Sequence, residues 1–129
     1  MNIVDTSAWL EYFTDSPNAK HFAPVIEDTK HLAVPVICLY EVFKKTLQER
    51  GEHDALQAVG LMNQGLVIPL DAPLALIAAQ ISAELKLPMA DSIVLATARS
   101  VNGIVWTQDA DFKDLPGVKF FSKHQGLRP

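Results

Sequence analysis

Cysteine is almost missing. Cys38 stands alone inside the apolar run Val36-Ile37-Cys38-Leu39, which excludes an intrachain disulfide and reads as a buried, unreactive thiol. Basic charge is scarce as well. Eleven Lys and Arg against 15 Asp and Glu leave a formal net charge of −4, the wrong sign for a protein that holds nucleic acid by bulk electrostatics. Either the partner is not nucleic acid or something local reverses the sign. Long apolar runs are absent too: Asp71, Gln80, Glu84 and Asp91 interrupt the most apolar stretches, so none reaches the roughly 20 residues of a membrane span. The opening MNIVDTSAWL has no basic n-region and carries Asp5 within its apolar stretch, unlike a secretory signal. The expectation is a soluble, cytoplasmic protein with no membrane association.

What is present is the composition of one folded domain, expected to span residues 1–129. With 49% hydrophobic and 20% charged residues, the chain lies well outside the disordered range and can bury a core of its own. No repeat, low-complexity tract or interdomain linker divides it.

Short apolar strands alternate with helical patterns along the chain. Strands are predicted at Asn2-Ile3-Val4, from His31 to Val34, at Leu66-Val67-Ile68 and at Ile104-Val105-Trp106, with a weak fifth at Val118-Lys119-Phe120. Helices are predicted from Ala8 to Phe13, from about Pro24 to Asp28, and from Val36 to Arg50, where Gly51 supplies a stop. Others run from about Glu52 to Asn63, from Asp71-Ala72-Pro73 to about Leu85, and from Met89 to Val101. This alternation predicts an α/β fold, a single three-layer α/β/α domain with a central parallel sheet of four to five strands, because each parallel crossover needs a helix. In such sheets ligands bind beyond the carboxyl ends of the strands.

The acids fall where that crevice should be. Asp5 follows the first strand, Glu41 lies in the first turns of the helix after the second, Asp91 opens the helix before the fourth, and Asp109 follows the fourth. Each has a plain reading by itself. Asp5 can cap its helix, Glu41 can pair with Lys45 one turn on, Asp91 can favour a helix dipole, and Asp109 and Asp111 can form a turn in Gln108-Asp109-Ala110-Asp111. Those readings leave the shared placement of all four on one rim unexplained. Clustered carboxylates repel one another unless a cation neutralises them, and oxygen ligands without His or Cys suit Mg²⁺ or Mn²⁺.

The segments IVDTSAWLEYF, VPVICLYEVFKK and MADSIVLATARSVNGIVWTQDADF resemble the PIN-domain family, in particular short stand-alone ribonuclease toxins of the VapC type. The resemblance covers nearly the whole chain in order, and the block from Asp91 through Phe112 carries it most strongly. It implies a PIN-like fold with Asp5, Glu41, Asp91 and Asp109 as an acidic catalytic quartet. Asp5, Asp91 and Asp109 would hold Mg²⁺ or Mn²⁺, and Glu41 would hold it through water or orient the attacking water. Thr6 or Ser7, and Thr107, match hydroxyls that orient those acids, and Asp111 matches a less regular fifth acid. The family further implies an RNA substrate, 5′-phosphate and 3′-hydroxyl products, a homodimer and a cognate antitoxin protein. One departure is that Gln108 and Ala110 stand where relatives often carry basic residues.

For phosphate contacts the candidates are Lys44, Lys45, Arg50, Arg99, Lys113 and Lys123, each of which also reads as an ordinary solvated residue. Trp9 and Tyr12 suit either base stacking or core and dimer packing. Rival α/β enzymes fit less well. A haloacid-type phosphatase needs a second Asp where Ser7 stands, and a phosphorylated receiver needs an acidic pair after the first strand and a Lys after the last. The other alternative is a catalytically inactive PIN-like binding module.

Overall fold

A computed structural model describes residues 1–123, so positions 124–129 of the expected domain lie outside the described residues. Its five strands are β1 (Asn2–Val4), β2 (Leu32–Pro35), β3 (Leu66–Ile68), β4 (Ile104–Thr107) and β5 (Val118–Phe120). They form one sheet in the order β3-β2-β1-β4-β5, with every neighbouring pair parallel. Six helices flank it: α1 (Thr6–Phe13), α2 (Ala19–Glu27), α3 (Val36–Arg50), α4 (Glu52–Met62), α5 (Ala72–Leu85) and α6 (Met89–Ser100). This is the expected three-layer α/β/α arrangement, and the weak fifth strand is part of the sheet.

Side chains on both faces of the central strands are buried, because helices cover both. Ile3, Val4, Ala33 and Val34 are fully enclosed, which is why these strands read as continuous apolar runs. α6 is the most buried helix, with every residue from Ser92 to Ala98 inside. Its neighbour α5 begins at Asp71, whose carboxylate accepts the Leu74 N–H at 2.9 Å as a helix cap. Gly51 ends α3 at φ +96°, a conformation that favours glycine and one the sequence placed correctly. At the entry to β4 a Cβ on Gly103 would collide with Ile3 Cδ1 and come within 3.0 Å of the Met1 carbonyl oxygen.

α1 starts at Thr6, two residues before the expected Ala8, and two further departures from the sequence reading have clear causes. α2 starts at Ala19 and passes through Pro24, whereas the proline was expected to open the helix. The apolar positions Ala19, Phe22, Val25 and Ile26 are all buried, and burial of that face outweighs the roughly 3 kcal/mol that an internal proline costs. The second strand begins at Leu32, one residue late, because His31 closes a short 3₁₀ turn and its imidazole meets Asp28 at 3.0 Å.

The strand order positions the site. From β1 the chain steps outward through β2 and β3, then returns to place β4 on the other side of β1. The carboxyl ends of β1 and β4 therefore border the point where the order reverses, where α/β sheets open a crevice. No helix among the described residues is long and apolar enough to cross a membrane.

Candidate metal centre

Asp5 leaves the end of β1 directly into α1, and its position explains its hydrogen bonds. It is 3% exposed, and its Oδ1 accepts the Ser7 hydroxyl at 2.7 Å and the Ala8 N–H at 3.2 Å, while its own N–H donates to the Trp106 carbonyl at 3.1 Å. Asp5 is thus a helix cap, but capping does not exhaust its role. One carboxylate oxygen from each of Asp5, Asp91 and Asp109 lies within 4.8 Å of the others.

Asp109 is brought there by the turn after β4. Its N–H donates to Thr107 Oγ1 at 2.9 Å, and its Oδ1 accepts the Asp111 N–H at 2.9 Å. The turn-forming reading of these acids therefore also holds. Thr107 is fully buried, and its Oγ1 stands 3.4 Å from Ser7 Oγ, linking the two strand ends. Asp91 arrives from the first turn of α6. Asp111 is exposed on the rim.

Electrostatics mark the cluster as strained when no cation is present. Burial pushes the Asp5 carboxyl up to about 6, against hydrogen bonds from Ser7, Ala8 and Thr107 that pull it down, with the Asp109 charge adding to the rise. The Asp91 carboxyl rises further, to about 8, first through desolvation, then through the Asp109 charge, the Asp111 carboxyl and the Asp5 charge. The helix dipole favours ionised Asp91, but burial and three acidic neighbours win.

Glu41 stands apart from these three. Its Oε1 accepts the Thr6 hydroxyl at 2.6 Å, which ties the start of α3 to the start of α1. The helical pairing with Lys45 does not form, because Lys45 reaches Glu49 at 2.9 Å. All four acids nevertheless line one cavity of about 240 Å³, together with Thr6, Ser7, Leu10 and Val94. The sequence-level quartet is therefore a convergent triad of aspartates with a glutamate on the cavity wall.

The residues present fit a hard divalent cation. The donor set is all oxygen, the three carboxylates converge near the spacing needed by a cation with ligands at about 2.1 Å, and the raised pKa values of Asp5 and Asp91 report negative charge that a cation would relieve. No His or Cys shares the cluster, so softer metals have no favoured ligand.

The structure decides between the two readings of Trp9 and gives Gln108 partners. Trp9 is fully buried beside Phe13, with ring centroids 5.7 Å apart, so it is core and does not stack on a base. Tyr12 packs edge-on against Phe13, and its hydroxyl lies 3.4 Å from Glu27. Gln108 faces inward. Its Oε1 accepts from Asn18 Nδ2 at 2.9 Å, and its Nε2 donates to Glu11 Oε1 at 3.0 Å. Asn18 also reaches the Ser122 carbonyl at 2.9 Å, and its N–H donates to Glu11 Oε2 at 2.8 Å. Sequence reasoning missed Glu11 and Asn18, whose spacing carries no motif, and read Gln108 only as a lost basic residue. This network anchors the loop carrying Thr107 and Asp109. Gln108→Leu leaves the buried Asn18 amide and the Glu11 carboxylate short of partners, so unfolding in denaturant should show a loss of about 1–3 kcal/mol.

The sequence matches the PIN domain family over residues 3–118. No curated protein sequence matches this chain. Among solved structures, the chain is similar to one in a toxin-antitoxin complex from Klebsiella pneumoniae. That match has 22% identity and a TM-score of 0.82, and covers 95% of this chain and 100% of the other. It is also similar to a chain of DNA-bound VapBC from Salmonella typhimurium, at 21% identity and TM-score 0.73, over 94% and 96% of the two chains. A third likeness is to VapC20 from Mycobacterium tuberculosis, described as a sarcin-ricin loop cleaving toxin, at 19% identity and TM-score 0.73, over 87% and 92%. The sheet order, the acids at its reversal point and the match over most of the sequence agree: the chain belongs to the PIN-domain family.

Proposed function

We propose that this protein, acting as one domain, is a metal-dependent endoribonuclease and the toxin of a toxin-antitoxin pair. The observation that carries the proposal is the convergence of Asp5, Asp91 and Asp109 at the crevice where the strand order reverses. The likeness to a sarcin-ricin loop cleaving toxin supports RNA as the substrate, and the likeness to chains in toxin-antitoxin complexes supports an antitoxin partner.

Asp5, Asp91 and Asp109 would hold Mg²⁺ or Mn²⁺, which when bound polarises the scissile phosphate and acidifies water. The chain's own residues set the geometry. Ser7 and the Ala8 N–H fix the Asp5 carboxylate, Thr107 fixes the backbone of Asp109, and Thr6 holds Glu41 at the cavity wall. From there Glu41 orients the attacking water, and Asp111 adjusts the charge on Asp91. Because the triad rejects phosphate without a cation, the local sign reversal that RNA binding needs also comes with the ion. The inactive-module alternative finds no support in the site, where all four acids line the cavity.

Total tRNA incubated with the protein and Mg²⁺ should yield fragments with 5′-phosphate and 3′-hydroxyl ends. Intact RNA, or 2′,3′-cyclic ends, would refute the reading. In the cytoplasm the free toxin would be a homodimer, a proposal supported by exposed apolar side chains at Leu76, Ile77 and Met89. Light scattering at micromolar concentration should give twice the 14.2 kDa of one chain. A mass equal to one chain would overturn the dimer.

A further inference from the structure

Beside the acidic cavity, along the exposed side of α3, runs a second cleft of about 430 Å³ lined by Thr6, Leu10, Tyr40, Glu41, Lys44, Lys45 and Gln48. Thr6, Leu10 and Glu41 line both cavities, so the two adjoin. Its size falls in the range of small-ligand sites, roughly 300–1,000 Å³. Its chemistry is the reverse of the acidic pocket. Tyr40 is 60% exposed, and the Lys44 ammonium sits 5.8 Å from its ring centroid, which holds the side chains together and leaves most of the ring open. Lys45 is engaged by Glu49, whereas Lys44 takes part in no ion pair among the described residues.

Exposing an aromatic ring next to a cation that no carboxylate pairs with among the described residues has no value for the core. It is the pairing that binds single-stranded nucleic acid, a flat surface for a base and a positive charge for its phosphate. In a chain of net charge −4 that local arrangement matters. We propose that Tyr40, Lys44 and Gln48 form a nucleotide subsite that accepts an unpaired base of the RNA beside the scissile phosphate. Tyr40 stacks on the base, Lys44 neutralises a phosphate, and the Gln48 amide meets the base edge. The subsite rests on the ribonuclease reading and adds a preference for unpaired over duplex RNA at the cut.

The test is fluorescence anisotropy with a ten-nucleotide oligoadenosine and an abasic ribose-phosphate strand of equal length, with Ca²⁺ replacing Mg²⁺ to slow turnover. Tyr40→Leu should weaken oligoadenosine binding about tenfold and leave the abasic strand unaffected, because only stacking is lost. Tyr40→Phe should bind like wild type. Lys44→Gln should weaken both strands and lower the slope of log K against log salt by about 0.7, one phosphate contact on a single strand. Thermal melts of each variant should match wild type, since these side chains lie on the surface.

Unchanged oligoadenosine binding by Tyr40→Leu, or an equal loss on both strands, would overturn the subsite. If that variant binds RNA normally but fails to co-purify with the co-expressed product of an adjacent reading frame, the cleft belongs to a protein partner and the proposal fails. Wild-type protein that neither binds these strands nor cleaves tRNA would instead overturn the ribonuclease reading itself.

Discussion

In chelator, Asp91→Asn should melt at a higher temperature than the wild-type protein, and added Mg²⁺ should raise the wild-type melting temperature far more than that of the variant. Asp91 is half-buried among Asp5, Asp109 and Asp111, and its carboxyl is pushed up to about 8. An amide in its place keeps the shape and removes the repulsion. A ligand bound only by the folded state adds RT ln(1 + [L]/Kd), about 2.7 kcal/mol at a hundredfold excess over Kd, which in a domain of this size is on the order of 10 °C. If Asp91 served only the dipole of α6, the variant would be neutral or lose up to about 1 kcal/mol, with no dependence on metal. A variant that melts below wild type in chelator and gains equally from Mg²⁺ would remove Asp91 from the site.

The same cluster sets a pH dependence whose sign follows from the raised pKa values. Unfolded carboxyls titrate near 3.9, whereas Asp5 rises to about 6 and Asp91 to about 8 in the folded chain. The folded state therefore holds protons that the unfolded state has released. The associated stability is complete below the unfolded pKa and is lost as pH rises through 6 and then 8. Metal-free protein should melt higher at pH 5.5 than at pH 8.5, and saturating Mg²⁺ should narrow that gap by favouring the ionised forms. Melts across this window that rise with pH in chelator would contradict the assignment.

The second large effect is on catalysis. Asp5→Asn should lower the rate of RNA cleavage by on the order of a hundredfold or more, since even the groups that support metal ligands weigh about 10–100-fold in affinity or activity. The amide retains an oxygen to accept from Ser7 and Ala8, so circular dichroism should show an intact fold. If Asp5 were only a cap, the variant would cleave at close to the wild-type rate.

Much of this site is legible in the sequence because local rules place its parts. Asp5, Asp91 and Asp109 each sit beside an element boundary that periodicity identifies, and parallel α/β topology sends those boundaries to one rim. What periodicity cannot supply is contact between distant residues. The hydrogen bond from Thr6 to Glu41 spans 35 positions, and that from Asn18 to Gln108 spans 90, so neither leaves a trace in local spacing. Exposure is equally hidden. Trp9 and Tyr40 both lie near site acids in the sequence, yet one ring is fully buried and the other largely open. Which face of α1 or α3 meets the core depends on the packed neighbours, not on residue type. Pro24 shows the reverse error, where a strong local breaker yields to the buried face on either side of it.

The central claim is that three aspartates form a divalent cation site. Calorimetric titration of Mn²⁺ into wild type and into Asp5→Asn, Asp91→Asn, Asp109→Asn and Glu41→Gln tests it most directly. The account predicts saturable binding to wild type, loss of about 10–100-fold or more in affinity for each aspartate variant, and a smaller loss for Glu41→Gln, whose carboxylate stands apart from the triad. Wild-type protein that takes up no Mn²⁺, or aspartate variants that bind it as wild type does, would contradict it.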